Sequence, residues 1–144
     1  MNQSGILRGI LVIVGAFIVY VGINVGFGGI PTLGWQVPAD FVSVANPAEF
    51  AVQDNHVRFL GGFFGAAGLF MLLAATNLRR YQAELRLVFV LMFIGGLARL
   101  SALQPAILLD SKIITSFAAE VILMPILFFW LPRALRSADP IQTA

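Results

Sequence analysis

The sequence predicts an all-α integral membrane protein in which four transmembrane helices form an antiparallel bundle. Of its 144 residues, 59% are hydrophobic and 11% are charged, whereas a soluble domain usually carries about 25% charged residues. The chain also contains four long stretches with few or no charges, each close to the roughly 20 residues that cross a bilayer as a helix. A single four-helix domain, residues 1–144, fits this length.

The first helix is predicted over residues 6–27. Its uncharged part, residues 9–27, follows a basic residue, as the apolar part of a signal peptide does. The length of this run and the lack of a small-x-small cleavage site after it favour a transmembrane helix instead. Glycines and a proline in residues 28–31 predict the end of the helix. In the loop that follows, Trp35 is expected at headgroup depth.

The second helix is predicted over residues 47–78 and begins before its uncharged span is reached. Asn46 can cap its N-terminus, while Pro47 and Glu49 suit the first helical turn. The connection that follows, residues 79–86, is short. Helices two and three are therefore expected to be antiparallel neighbours.

The third and fourth helices are predicted from two apolar runs, each of which ends at a proline. The third spans residues 85–104 and is stopped by Pro105, and the fourth spans residues 112–131 and is closed by Pro132. Pro125 lies inside the fourth helix and removes one backbone hydrogen bond there. We interpret it as a simple kink in preference to a hinge or a ligand contact.

The distribution of basic residues predicts the orientation of the chain. Short loops on the cytoplasmic side of membrane proteins are enriched in lysine and arginine, so both termini are expected in the cytoplasm. The basic residues on this predicted side are Arg8, Arg79, Arg80, Arg86, Arg133 and Arg136.

Small residues recur at the spacing that lets two helices approach closely in a membrane. Such pairs serve either dimerisation or packing within the monomer, and a short bundle favours internal packing. The pairs are Gly5/Gly9, Gly22/Gly26 and Gly61/Gly65, and Gly68 extends the last of them.

Two charged residues lie well inside predicted spans, where a charge is costly unless it faces the protein interior. Arg99 lies about 7 Å inside the end of helix three, and Glu120 about 12 Å inside the start of helix four. Both helix ends are on the predicted outer side, and an arginine side chain can cross the remaining offset. We therefore predict that Arg99 and Glu120 form an ion pair.

Further polar residues are expected at the same depth, which predicts a candidate polar pocket in the outer half of the membrane. In one interpretation these residues form a structural network, with Asp54 paired to Arg58 and Glu120 paired to Arg99. In the other, a surplus of arginine donors binds an anionic or carbonyl-bearing amphiphile, such as a lipid headgroup or a quinone. The predicted pocket contains Tyr20, Asn24, Asp54, His56, Arg58, Arg99 and Glu120.

Composition argues against several other functions. The chain has no cysteine, so it offers neither a disulfide nor a thiolate ligand. His56 is the one histidine, which makes a poor metal site without histidine or cysteine partners, and no metal site is predicted. A net charge of +2 with no long basic run argues against a nucleic-acid partner.

Two segments carry a family resemblance that extends over nearly the whole chain. The first contains Asp54, His56, Arg58 and Phe59, and the second contains Gly95, Gly96 and Arg99. These residues resemble domain-of-unknown-function family 4345, small bacterial membrane proteins related to the DoxX-like four-helix superfamily. The resemblance implies a bacterial inner-membrane location. DoxX-like relatives are associated with quinone-linked redox chemistry or with accessory roles beside other membrane proteins, and neither activity transfers to particular residues here.

Three functions remain open from the sequence. The first is a non-enzymatic membrane binding module or accessory subunit that holds a lipid or quinone-like amphiphile. The second is a small membrane enzyme or proton-coupled carrier that uses His56 and Glu120 as acid–base groups. The third is a structural partner in a larger complex or homo-oligomer, with an exposed Gly22/Gly26 face as the expected contact.

Overall fold

The computed structural model describes residues 3–32 and 43–136, and this part of the chain is helical with no strand. Four of its helices are long and apolar enough to cross a membrane. The predicted class, an all-α membrane protein with four spanning helices, is thus confirmed. The spanning helices are α1 (Gln3–Gly28), α2 (Pro47–Thr76), α3 (Gln82–Ala102) and α5 (Ile114–Arg136), and a short helix, α4 (Pro105–Leu108), precedes α5.

The chain divides into two compact units. One unit is Leu11–Leu73, which holds most of α1 and α2, and the other joins residues 3–10 to residues 74–136 and is called here the α3–α5 unit. The organisation of all four helices as a single domain stays a prediction. The expected headgroup position of Trp35 lies outside the described residues.

Within the Leu11–Leu73 unit, α1 and α2 pack as an antiparallel hairpin through facing glycines. A methyl group added at Gly22 would collide with the backbone of Gly65, and one added at Gly61 would lie 2.5 Å from the nitrogen of Gly26. Since lipid supplies no hydrophobic drive between helices, this backbone approach is what allows close packing. The Gly22/Gly26 and Gly61/Gly65 pairs therefore pack against each other inside the hairpin.

The glycine contacts overturn one expectation about a partner surface. Gly22 is buried against α2, so the prediction of an exposed Gly22/Gly26 contact face is wrong. The prediction fails because glycines on α2 let its backbone pack directly against this face of α1. Gly5 and Gly9 differ, because a methyl group added at either would meet no described atom within 4 Å.

Within the α3–α5 unit, α3 and α5 also run antiparallel. The Arg86 guanidinium lies 4.1 Å from the centre of the Phe128 ring near one end, and Gly96 contacts Glu120 towards the other. The unit has an apolar core. Its fully buried side chains include Leu85, Phe89, Leu127 and Leu131, together with Leu7 and Leu78 from the helix ends that belong to this unit.

The helix ends differ from the predicted bounds by a few residues, for local reasons. α2 ends at Thr76 because Asn77 turns the chain, its side-chain oxygen accepting a hydrogen bond from Arg80 N at 3.1 Å. α5 continues through Pro132 to Arg136, past the predicted end at residue 131. Burial of Leu135 on the far side of the proline holds this last turn on the core.

Candidate functional site

The C-terminus of α1 is closed by an arginine from α2. Gly29 adopts a left-handed conformation, with φ of 74°, and its N–H bonds to the Val25 carbonyl at 2.8 Å. A left-handed glycine at a helix end satisfies some of the last carbonyls of the helix but leaves others without a partner. Arg58 donates to two of these carbonyls, those of Phe27 and Gly28, the second at 3.1 Å.

Asp54 completes this closure from the same face of α2. One of its carboxylate oxygens accepts from Arg58 Nε at 2.6 Å and the other accepts from Ile30 N at 2.6 Å. A side chain at Gly29 would collide with this carboxylate. Asp54 and Arg58 therefore form a brace, one turn apart on α2, that fixes the end of α1 within the Leu11–Leu73 unit.

Arg99 and Glu120 form the second ion pair, which lies in the α3–α5 unit. Arg99 Nε donates to one carboxylate oxygen at 2.6 Å and Nη2 donates to the other at 2.7 Å. This is the two-pronged geometry that makes an arginine–carboxylate pair strong and directional. The predicted pairing of Arg99 with Glu120 is confirmed.

The backbone around Glu120 explains how α3 and α5 come close enough for this pair. A methyl group added at Gly96 would lie 2.7 Å from Glu120 Cβ and 2.9 Å from Val121 Cγ1. Glu120 itself belongs to a π-helical turn, Ala119–Leu123, in which Met124 N–H bonds to the Ala119 carbonyl. This wider turn admits one extra residue, and it ends beside Pro125, which has no N–H to donate.

The guanidinium of Arg99 keeps one edge open. The Nε–Nη2 edge is filled by Glu120, but Nη1 and the second hydrogen of Nη2 have no hydrogen-bond partner among residues 3–32 and 43–136. The Arg99 side chain is 38% exposed, against 14% for Glu120. An arginine has five donors in a rigid fork, so a second oxyanion or carbonyl can bind on this free edge.

The other predicted site residues lie in the Leu11–Leu73 unit. Tyr20 is exposed, and Asn24 is half-buried with its backbone carbonyl accepting from Thr32 Oγ1 at 3.0 Å. His56 is exposed and lies two residues from Asp54, a rotation of about 200° around the helix. The structure thus pairs four of the seven residues, Asp54 with Arg58 and Arg99 with Glu120. The meeting of all seven in one pocket stays a prediction.

An apolar cavity in the α3–α5 unit was not predicted from the sequence. Its volume is about 260 Å³, and it opens between α3 and α5. Met124, which lines the cavity, lies one helical turn from Glu120. Pro125, predicted from the sequence to form a simple kink, also lines it. The lining side chains are Phe89, Val90, Phe93, Met124, Pro125, Phe128 and Phe129.

Nothing in the described part of the chain groups three or more histidine or acidic side chains closely enough to hold a metal ion. No curated protein and no solved structure compared with the chain matches it. One family model does match, over residues 6–131, and its description is "Domain of unknown function (DUF4345)". Because this match covers most of the sequence, the chain belongs to the DUF4345 family.

Proposed function

We propose that this membrane protein is a non-enzymatic binding module, or accessory subunit, that holds an amphiphile by its phosphate or carbonyl oxygens at Arg99. The observation that supports this proposal is the free edge of the Arg99 guanidinium. Glu120 occupies the opposite edge with both of its oxygens. The pair therefore offers a fixed donor fork near the end of a spanning helix.

The bilayer makes such a free edge costly to leave empty. An N–H group without an acceptor in an apolar environment costs several kcal/mol. Pairing with Glu120 offsets the charge of Arg99 but leaves the remaining hydrogens without acceptors. A lipid phosphate, or the carbonyl oxygen of a quinone, supplies acceptors suited to a planar guanidinium.

The nearby apolar cavity supports an amphiphilic ligand over a small polar one. It belongs to the same unit as the pair, and its aromatic and aliphatic lining suits an acyl or isoprenoid chain. Met124 at the margin of the cavity follows Glu120 by one helical turn. The proposed ligand thus has its polar end at Arg99 and its tail along α3 and α5.

The two other functions receive less support. An acid–base role for Glu120 competes with Arg99, which engages both carboxylate oxygens, while His56 faces away from Asp54 on α2. A structural role in a larger complex loses the contact face that was expected for it, because Gly22 packs within the α1–α2 hairpin.

We place the protein in the bacterial cytoplasmic membrane, with both termini in the cytoplasm. Support comes from the basic residues at one end of the α3–α5 unit, where Arg79 donates to the Leu135 carbonyl at 3.3 Å and Arg80, Arg133 and Arg136 lie nearby in sequence. The opposite end of this unit carries Lys112 and Arg99. Basic residues concentrated at one end are expected to remain cytoplasmic.

Mass spectrometry of small molecules that copurify with the protein in mild detergent tests this proposal. The wild type is expected to retain one class of amphiphile. Arg99→Lys keeps a partner for Glu120 but has no planar fork, so it should retain severalfold less. Lys112→Gln is the control, because it removes a nearby charge and leaves the fork intact. A wild type that retains nothing specific, or an Arg99→Lys variant that retains as much, would overturn the proposal.

A further inference from the structure

The connection between α3 and α5 exposes three large aliphatic side chains. Leu103 is 86% exposed, Ile107 is 52% exposed and Leu109 is 69% exposed. No charged residue occurs between Arg99 and Asp110. Large apolar side chains exposed close together in a segment without charges usually mark contact with a partner or a membrane.

The backbone of this connection is ordered but has little core of its own. Leu103 adopts a left-handed conformation with φ of 53°, which ends the 3₁₀ turn Arg99–Ala102 and redirects the chain. Pro105 then begins α4, and Asp110 closes the segment, its side chain accepting from Lys112 N at 2.8 Å. Apart from the half-buried Leu108, every residue from 101 to 112 is exposed.

The position of the connection within the chain limits what can cover it. It leaves the spanning helix α3 at Ala102 and enters the spanning helix α5 at Ile114. Both of its ends therefore lie where a helix emerges from the bilayer. The 11 residues 103–113 are too few to carry the connection far from the membrane surface.

The connection between α2 and α3 provides a contrast within the same unit. Residues 77–81 contain Arg79 and Arg80, and the leucine between the helices, Leu78, is 1% exposed. That connection turns its charges outward and its leucine inward, as a loop in water does. The α3–α5 connection has the opposite pattern.

We propose that α4 and its flanking residues lie in the bilayer interface, with Leu103, Ile107 and Leu109 inserted among the lipid chains just below the headgroups. Asp110 and Ser111 face water, and the aliphatic stem of Lys112 lets its ammonium group reach the headgroup level. The partner of this surface is the lipid leaflet itself. The proposal goes beyond amphiphile binding at Arg99 and does not depend on it.

The lack of any cysteine in the chain allows a direct test with single nitroxide labels. Leu103→Cys, Ile107→Cys and Leu109→Cys are each labelled in lipid nanodiscs, with Ser111→Cys as the matched control. Collisions of each label with oxygen, which concentrates in lipid, and with a water-soluble nickel chelate are measured. The three apolar positions should favour oxygen severalfold relative to the Ser111 position.

Each position is measured independently, so a variant that fails to fold leaves the other two to decide. Labels at the apolar positions that meet the nickel chelate as often as the Ser111 label would overturn the proposal, because the segment would then lie in water. Labels shielded from both reagents would also overturn it, since a protein surface would then cover the segment.

Discussion

The two arginine–carboxylate pairs of this chain differ in how completely the arginine is used. Arg58 donates to Asp54 and to two carbonyls at the end of α1, which makes it a structural brace. Arg99 donates only to Glu120 among the described residues and stays more exposed than its partner. The first pair explains helix-end geometry, and the second leaves donors for a ligand.

The brace leads to a prediction about Arg58. Arg58→Lys keeps the charge but has all three donors on one nitrogen in place of a planar fork, so it cannot reach Asp54 and both carbonyls of α1 together. We expect a clear loss of thermal stability in detergent. His56→Gln on the same helix is the control and should change the melting temperature little, because His56 is exposed. Equal losses for the two variants would refute the brace.

The Arg99–Glu120 pair leads to a prediction about the coupling free energy between the two side chains. Arg99→Ala and Glu120→Ala should each destabilise the protein, because each leaves a charge without its partner. The double variant should lose less than the sum, with a coupling free energy of about 1–2 kcal/mol. Reversible unfolding in mixed micelles measures the three free energies. Strictly additive losses would mean that the pair contributes nothing to the folded state.

At the level of the helices, paired glycines in the sequence have unequal roles. Gly95 and Gly96 are adjacent on α3, yet a methyl group at Gly95 would meet no described atom within 4 Å, whereas one at Gly96 would press on Glu120. Sequence spacing alone could not distinguish them, because the distinction depends on which way α5 approaches.

This difference predicts opposite effects of the same substitution. Gly95→Ala should be neutral or stabilising, since alanine favours a helix over glycine by up to about 1 kcal/mol. Gly96→Ala should destabilise, because α5 must move to relieve the contact with Glu120 Cβ. The same measurement on Gly62→Ala and Gly61→Ala should repeat the contrast on α2, because a methyl group at Gly62 would meet no described atom within 4 Å whereas one at Gly61 would collide with α1. Similar stabilities for Gly95→Ala and Gly96→Ala would contradict the packing described.

The sequence was most informative for properties that can be summed residue by residue. The four spans follow from hydropathy summed over about 20 residues. The Arg99–Glu120 pair follows from the fixed rise per residue, which places both side chains at a similar depth. The π turn at Ala119–Leu123 and the continuation of α5 through Pro132 could not be predicted, because both depend on burial and packing around the prolines. The brace at Arg58 was foreseen only as a pair with Asp54, since its carbonyl partners depend on how α1 ends.

For the molecule as a whole, the distribution of arginines predicts a single orientation. Single cysteines introduced at Ser4 and at Ser137 should be labelled by a membrane-impermeant maleimide only after the cytoplasmic side of the membrane is made accessible. Ser111→Cys should be labelled without that step, because Ser111 precedes α5 at the other end of the span. Labelling of Ser4 and Ser111 from the same side would contradict the predicted orientation.

The central claim is that the free edge of Arg99 binds an amphiphile, and binding to the delipidated protein tests it most directly. Native mass spectrometry would measure the addition of phosphatidylglycerol, or of a short-chain ubiquinone, to the wild type and to the Arg99→Gln/Glu120→Gln variant. This variant keeps a hydrogen-bonding pair without leaving a charge unpaired.

We expect the wild type to bind at least one of the two amphiphiles, and the folded double variant to bind it about tenfold more weakly. Equal binding by the folded double variant, or binding of neither amphiphile by the wild type, would contradict the claim and leave Arg99 and Glu120 with a structural role alone.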